Sequence, residues 1–509
     1  MAAAASAGSP PVGGAQAAAE GNALFRMTVR ITPLAARVPV PIRLNPRTFL
    51  PMALPVPHPA VLPVFTSEPH LDAVSEAAWP LTGTQNAYDP LFEIIGQSSL
   101  VLLGEASHGT EEFYRERARI TRNLILAHGF NLIAVEADWP DAYLVNRYVR
   151  GQGDAADPLR ALSGFNRFPR WMWRNKVVLE FVRWLRDHND TLPEGAPKAG
   201  FYGLDLYSLT NSIAAVLAYL DKHDPEAAAR ARYRYGCFDH SSEDPQSYGY
   251  SAAFGLSESC ERQVVEQLAE LRRNAPRYRE QDGRLAADDY FFAEQNAQVV
   301  QDAEIYYRAM FEGRTNSWNV RDRHLAGSLE ALIQHASRQD GAVKAVVWAH
   351  NSHIGDARAT EMGRKGEWNL GQLVRERYGK ASRLVGFSTY GGTVTAAANW
   401  EEPPATRVIR PAMAGSYEAV FHELRIPQFG IGLADDGKES LLHLDRPMLE
   451  RAIGVIYRPA TERISHYFEA RLRAQFDAIL HFDETHALEP LDQSEPPEAG
   501  EPETFPSAL

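Results

Sequence analysis

Short apolar runs alternate with longer stretches of helical periodicity through the middle of the chain. "SSLVLLGE" (98–105) reads as a buried strand. "TEEFYRERARITRNLILAHG" follows, with Thr110 as N-cap, Glu111 and Glu112 in the first turn and Gly129 as stop, which predicts a helix. "FNLIAVEAD" is the next strand and "WPDAYLVNRYVRG" the next helix. "KAGFYGLDLYSL" supplies a third strand around 199–206, and a long helical region then runs over about 208–338. "AVKAVVWAHNSH" returns to strand at 342–349, and "SRLVGFST", "RAIGVIY" and "FDAILHF" predict further strands. Strands alternating with helices predict an α/β fold, with a mostly parallel central sheet, flanking helices and a large helical insertion. No internal sequence repeat is visible.

In such sheets ligands bind beyond the carboxyl ends of the strands. The first strand ends in Glu105, with His108 in the loop after it; the second ends in Glu136, followed by Asp138 and Trp139. The third ends in Asp205, and the fourth in His350, with His353 three residues on. Titratable groups are therefore expected on one rim. Each has a plainer reading. Glu105 could cap a turn and His108 be merely exposed, but Gly104 and Gly109 permit the close backbone approach of a working loop. Glu136 must find a partner on leaving a buried strand, and a structural salt bridge to Arg117 or Arg122 would serve. "HNSH" (350–353) has the His-x-x-His spacing of a metal site, but it lacks the Glu of His-Glu-x-x-His and sits on a loop. Two histidines that orient substrate or relay protons fit it better. Asp205, Asp322 and Trp139 are candidate substrate-binding residues; helix capping or core ion pairing explains the two aspartates equally well. No Gly-x-Ser-x-Gly elbow occurs, "GFSTYG" (386–391) being off by one, and neither Gly-rich phosphate-binding motif is present. Acid–base groups without a standard nucleophile point to hydrolysis by a His-activated water.

The 509 residues, 45% of them hydrophobic, are ample for a large core. A net charge of −13 argues against nucleic acid or an anionic membrane surface as partner. No apolar run reaches the roughly 18 residues of a membrane span. Cys237 and Cys260 fit no metal spacing and offer no disulfide framework, so a reducing, cytoplasmic compartment is expected. Residues 1–66 are rich in Ala, Pro and Gly, with Glu20 the only acid. A disordered extension, an over-extended start ahead of Met27 or Met52, and a targeting segment are the three readings. The acidic, Pro-rich tail (491–509) is expected to be disordered.

"GEASHGTEEFY", "VEADWPDAYLVNRYVRG", "SWNVRDRH", "AHNSHIGDARATEMG" and "VIYRPATERISHYFEARLRAQFDAILHFDETHALEPLD" together resemble the erythromycin esterase family, over roughly 68–490. The strings look closest to its broad bacterial homologue group. The resemblance implies an α/β protein with a large helical insertion. It also implies hydrolysis of a small-molecule ester or lactone, the macrolide-inactivating members opening a macrolide's lactone. On the matching motif, it makes His108 the water-activating base and Glu105 its carboxylate. Arg117, Glu136, His350 and His353 complete the site, with no cofactor, no required metal and no covalent acyl-enzyme. Leu325 departs from the family pattern, which has Met there. Two rivals stand beside a hydrolase: an acyl-transfer or cyclisation enzyme on the same constellation, and a non-catalytic binding protein. The chain keeps Glu105, His108 and Glu136 together, which favours an enzyme. Oligomeric state is not legible. Deleting residues 1–65 should leave melting behaviour and activity intact; a large drop in melting temperature on that deletion would show that the segment packs as part of the fold.

Overall fold

A computed structural model describes residues 68–492, apart from 154–156, 242–244, 281–282, 434–440 and 442–443. The 1–66 extension and the tail beyond 492 lie outside the described residues. Among the described residues there are eleven strands: β1 (Ala78–Pro80), β2 (Leu100–Leu103), β3 (Leu132–Asp138), β4 (Gly200–Asp205), β5 (Ala345–Trp348), β6 (Ser382–Ala396), β7 (Ala405–Ile409), β8 (Gln428–Gly432), β9 (Met448–Arg451), β10 (Tyr467–Ala470) and β11 (Ala478–Thr485). Nine build one sheet in the order β1-β8-β11-β6-β2-β5-β3-β4, with β7 paired to the far end of β6. The six from β11 to β4 are parallel. β8 and β1 add an antiparallel edge that the sequence reading does not contain.

The uniform apolarity of the central strands follows from burial on both faces. Val101 and Leu103 of β2, Ile133 and Val135 of β3, and Val346 and Trp348 of β5 join one core. Their alternates, Leu100, Leu102, Leu132, Ala134, Ala345 and Val347, join the core on the other face. Each such fully buried aliphatic side chain stabilises the fold by about 1.5–3 kcal/mol. The connections leaving β2 and β3 run toward β4, whereas the one leaving β5 crosses to β6. The chain thus reverses direction at β2 and β5, where a crevice opens at the strands' carboxyl ends.

Glu111–His128 forms the helix after β2 and ends at Gly129, in the left-handed region at φ 73°. Thr110 occupies the N-cap position, but its hydroxyl bonds Ser107 instead of the helix. The carbonyl of His486 accepts from the N–H of Glu111 in its place. Between β4 and β5, six helices (Leu209–His223, Pro225–Tyr235, Pro245–Ala253, Glu261–Glu280, Gly283–Ala309 and Arg314–Asp340) pack around a third core that includes Tyr219, Leu268, Tyr290 and Tyr306. The last of them returns to the sheet by burying Leu325, Leu329 and Leu332 in the second core.

Two expectations change. "RAIGVIY" is not a strand of the sheet: only Arg451 belongs to β9, which pairs β10 in a separate ribbon. The rest of the segment makes single bridges, Ile453 to Ser107 and Ile456 to Ala397, so its apolar residues brace the loop after β2. The cysteines also differ from expectation. Cys237 and Cys260 form a disulfide, because the turn of 3-10 helix at Gly236–Ser241 folds back on the start of helix Glu261–Glu280. The reducing compartment inferred from unpaired cysteines loses that support. Among the described residues, no helix is long and apolar enough to cross a membrane.

The two glycines of Gly-Glu-x-x-His-Gly are explained by close approach. A Cβ on Gly104 would lie 2.1 Å from Asn351 Oδ1, and one on Gly109 would lie 1.8 Å from the carbonyl oxygen of Thr395 in β6. The loop is therefore pressed against β6 and the "HNSH" segment with no room for a methyl group. Gly109→Ala should destabilise the protein by about 1–3 kcal/mol or more, the usual cost of overpacking. Urea unfolding checks this, and an unchanged midpoint would show that the loop floats free of β6.

Candidate active site

The carboxyl ends of β2, β3, β4 and β5 and two helices bring the site together. Glu105 follows β2, with Oε1 2.9 Å from His108 Nδ1 and Oε2 accepting from Arg117 Nη2 at 2.7 Å. Arg117 is fully buried one helical turn and more into Glu111–His128, its guanidinium over the rings of Tyr114 and Trp348. A carboxylate can only accept, so the Nδ1–H of His108 faces Glu105 and Nε2 is the basic nitrogen.

Glu136 leaves β3 where the β3–β4 register slips between Val135 and Asp138. Such an irregularity re-aims a side chain. Its Oε2 accepts the backbone N–H of His350 at 2.8 Å, and its Oε1 accepts from Arg321 Nη2 at 2.8 Å. Arg321, on helix Arg314–Asp340, also grips Asp205 at the end of β4 through Nε at 3.0 Å and Nη2 at 2.6 Å. Its Nη1 donates to His353 Nε2 at 3.1 Å. That nitrogen accepts, so the ring proton of His353 sits on Nδ1, 3.0 Å from both oxygens of Asp322. Trp318 stacks on the same imidazole with ring centres 4.6 Å apart.

His350 joins the two halves, its ring centre 4.8 Å from that of His108. Nδ1 accepts from the Ser352 N–H at 3.2 Å and lies 2.8 Å from the Ser352 hydroxyl, which places the ring proton on Nε2. Nε2 is buried and makes no hydrogen bond of good geometry among the described residues, the Ala106 carbonyl being a weak partner for the ring. A buried donor so poorly satisfied is a position that a better acceptor can fill.

The charges are arranged to match. Burial pushes Glu136 up, but His353, Arg321, His108 and the His350 N–H outweigh it and hold the carboxyl well below the usual range. Burial also opposes ionisation of Asp205, and the Arg321 guanidinium wins there too. Burial, followed by the neighbouring His108, holds His350 well below the ordinary histidine range, although Glu136 and the Ala106 carbonyl pull the other way.

Of the residues expected from the sequence, Glu105, His108, Arg117, Glu136, His350, His353, Asp205 and Asp322 gather here. Asp322 backs His353 and Asp205 backs Arg321. Trp139 does not: it is buried in the second core, near-parallel to Tyr202 and Phe292, and is corrected to a packing residue. Arg117 pairs Glu105 and not Glu136, and Arg122 lies elsewhere, over Trp184. The cation that sequence reasoning missed is Arg321. Its signal was present in "SWNVRDRH", next to Asp322, and in the need of two strand-end carboxylates for a common partner. A narrow cleft of about 30 Å³ leads to Glu136, Asp205 and Arg321 past Phe165, Arg167 and Trp173. Among the described residues no group of three or more His, Cys, Asp or Glu could hold a metal ion.

A histidine that is neutral in the fold and charged in the unfolded chain lowers stability as pH falls below its unfolded pKa, about 6.5. Glu136 and Asp205, held low, keep their contribution down to the carboxylate range and lose it only below about pH 4. The unfolding free energy should therefore decline between pH 6.5 and 5, by at most about 1.4 kcal/mol per pH unit for each proton taken up, and the melting temperature with it. His350→Asn should flatten part of that decline, the remainder coming from groups such as the buried His481. Identical pH slopes in both proteins would show that His350 is not held neutral.

Residues 125–485 match the family model described as erythromycin esterase. The chain is 24% identical over 320 residues to erythromycin esterase type II of Escherichia coli, covering 61% of this chain and 73% of that protein. Its fold is similar to that of a Bacillus cereus protein, at TM-score 0.67 and 20% identity, covering 83% of this chain and 98% of the other. It is also similar to a mutant erythromycin esterase in its open conformation, at TM-score 0.55 and 19% identity, covering 79% and 94%. With the match to the family model spanning the strand-end carboxylate Glu136, His350, His353 and Arg321, the chain belongs to the erythromycin esterase family and is a hydrolase of the carboxylic-ester type.

Proposed function

We propose that the protein hydrolyses an ester or lactone by direct attack of a water activated by His108. One observation carries the reading: the ring of a carboxylate-oriented histidine lies against that of a second, neutral histidine whose Nε2–H makes no hydrogen bond of good geometry among the described residues. The first can take a proton while the second donates to the carbonyl oxygen of the substrate. As water adds, its proton passes to His108 Nε2, and the imidazolium is stabilised by Glu105, itself held by Arg117. The developing oxyanion meets the His350 Nε2–H, a donor that bonds better to the charged oxygen than to the neutral carbonyl. The tetrahedral carbon then releases the alkoxide, which recovers the proton from His108. In a lactone the product is one chain, heavier by one water, with a new carboxylate and a new hydroxyl.

Glu136 does not face the base directly in this scheme. Through the His350 N–H it fixes the backbone on which the donor ring hangs, and through Arg321 it fixes His353. Macrolides are the substrate class that the names of the relatives suggest; the chemistry described needs only an accessible acyl–oxygen bond. A small-molecule ester or lactone is the partner this site calls for.

Mass-spectrometric screening of lactones and esters for the gain of one water identifies a substrate. With that substrate, His108→Asn should lower turnover by about 10²–10⁴-fold or more, the usual worth of a general base, while binding suffers less. A single turnover in heavy-oxygen water should label the product carboxylate with no acyl adduct on Ser107 or Ser388. Substrate-derived acyl groups trapped on either of these serines would overturn the direct-water mechanism.

A further inference from the structure

The helix that delivers Arg321 and Asp322 to the sheet has a second functional face. Val320, Arg323, His324, Gly327 and Ala331 recur at spacings of three and four, on the side turned away from Leu325 and Leu329. With Asp302, Gln295 and Gln298 of helix Gly283–Ala309 they line a cavity of about 330 Å³ that opens at the surface of the helical body, where Arg323 and Gly327 are exposed. His324 stands in it with Nδ1 2.7 Å from Asp302 Oδ2 and Nε2 3.3 Å from the hydroxyl of Ser328. Asp302 can only accept, so the ring proton sits on Nδ1 and Nε2 accepts from Ser328. That is the tautomer that activates a serine.

Three further observations point the same way. A serine inside a helix commonly bonds the carbonyl four residues back. Here the Ser328 hydroxyl is turned to the imidazole, and among the described residues no carbonyl accepts from it. Asp302 is itself fixed, both its oxygens accepting from Gln298 Nε2 at 3.0 Å, while Arg272 holds Gln298 Oε1 at 3.0 Å. Finally, Arg323 lines the same cavity with its guanidinium over the Trp368 ring, 5.1 Å from its centre, and a Cβ on Gly327 would meet nothing within 4 Å. The serine, the histidine and a cation held by ring stacking thus border one open space.

We propose that Ser328, His324 and Asp302 form a second, serine-based centre that cleaves small carboxylic esters, separate from the sheet-end site. The Ser328 oxygen bonds to the ester carbonyl carbon as its proton passes to His324 Nε2. The oxyanion is met by the Arg323 guanidinium, which stands in for the backbone donors that a serine within a helix lacks. The ester C–O bond breaks, the alcohol leaves with the proton from His324, and Ser328 holds the acyl group. Water then adds to the acyl carbon, giving its proton to His324, and Ser328 leaves by taking that proton back. The sum is ester plus water to acid plus alcohol.

The test uses the full chain and diisopropyl fluorophosphate, with peptide mapping of the adduct, together with p-nitrophenyl acetate for the acyl-enzyme. Fluoride should be displaced and one phosphoryl group should appear on Ser328. Labelling should vanish in Ser328→Ala, fall at least ~100-fold in Asp302→Asn, which loses the correct tautomer, and persist in His108→Asn. p-Nitrophenyl acetate should acetylate the same serine. Ser328→Ala should leave hydrolysis at the sheet-end site unchanged, which keeps the two readings distinguishable. Absence of label on Ser328 in the folded wild-type chain, or equal labelling rates in the wild type and a folded Asp302→Asn, would overturn the proposal.

Discussion

The site depends on one buried cation. Arg321 reaches from the helical body into the rim of the sheet and there holds Glu136 from β3, Asp205 from β4 and His353 from beyond β5. Two buried carboxylates this close would not both ionise without it. Replacing such a group by apolar residues of similar volume is often neutral for stability, whereas deleting one partner costs about 3–5 kcal/mol. The energetic gain of the cluster is therefore small and its geometric effect large. It ties three strand ends and one helix into a single register, and it does so with a planar fork whose directions are fixed.

The second half of the site repeats the same construction. Arg117 pins Glu105, and Glu105 orients His108. Arg321 is hydrogen-bonded to Glu136, while Asp322 orients His353. In each half a buried guanidinium pairs with a buried carboxylate, and a second contact fixes a ring. His350 links them, its backbone bonded to Glu136 and its ring against His108. Asn351 closes the joint by donating its N–H to the Glu105 carbonyl at 2.9 Å and its side-chain amide to the carbonyl of Phe387 at 2.7 Å. The rings are thus positioned by packing and by charge together, which is what a site working within a fraction of an ångström requires.

The parts of this arrangement that local pattern encodes were readable. An apolar strand followed by a titratable residue announces a rim position, and four such positions recur along the chain. Register between distant elements was not readable. Arg321 lies 185 residues from Glu136 and 116 from Asp205, so nothing in its neighbourhood ties it to either. Arg117 and Arg122 are nearer to Glu136 in sequence, yet the helix carrying them points one to Glu105 and the other to Trp184. Trp139 follows a strand-end acid and so looked like site; packing against Tyr202 and Phe292 claimed it instead. "RAIGVIY" has strand composition, but the carboxyl-end loops it braces are not part of the sheet. The disulfide depends on a turn of 3-10 helix whose fold-back no spacing rule encodes.

Burial decides the chemistry that such a site can do. In a poorly solvated rim every charge acts at longer range and greater strength than in water, so an added cation beside His108 would suppress its basicity. A lysine or a protonated histidine placed to polarise the carbonyl would do that. His350 avoids the conflict. Burial keeps it neutral, Ser352 fixes its tautomer, and it presents a donor without presenting a charge. Arg117 and Arg321 each lie behind a carboxylate that cancels them, and Arg167 at the cleft pairs with Asp138. The hydroxyls of Ser107 and Ser352 on these loops are committed as well, to Thr110 and His350. In the proposed scheme the pair that acts on substrate is the neutral donor of His350 and the basic nitrogen of His108, and a water is the nucleophile such a pair would use without a covalent intermediate.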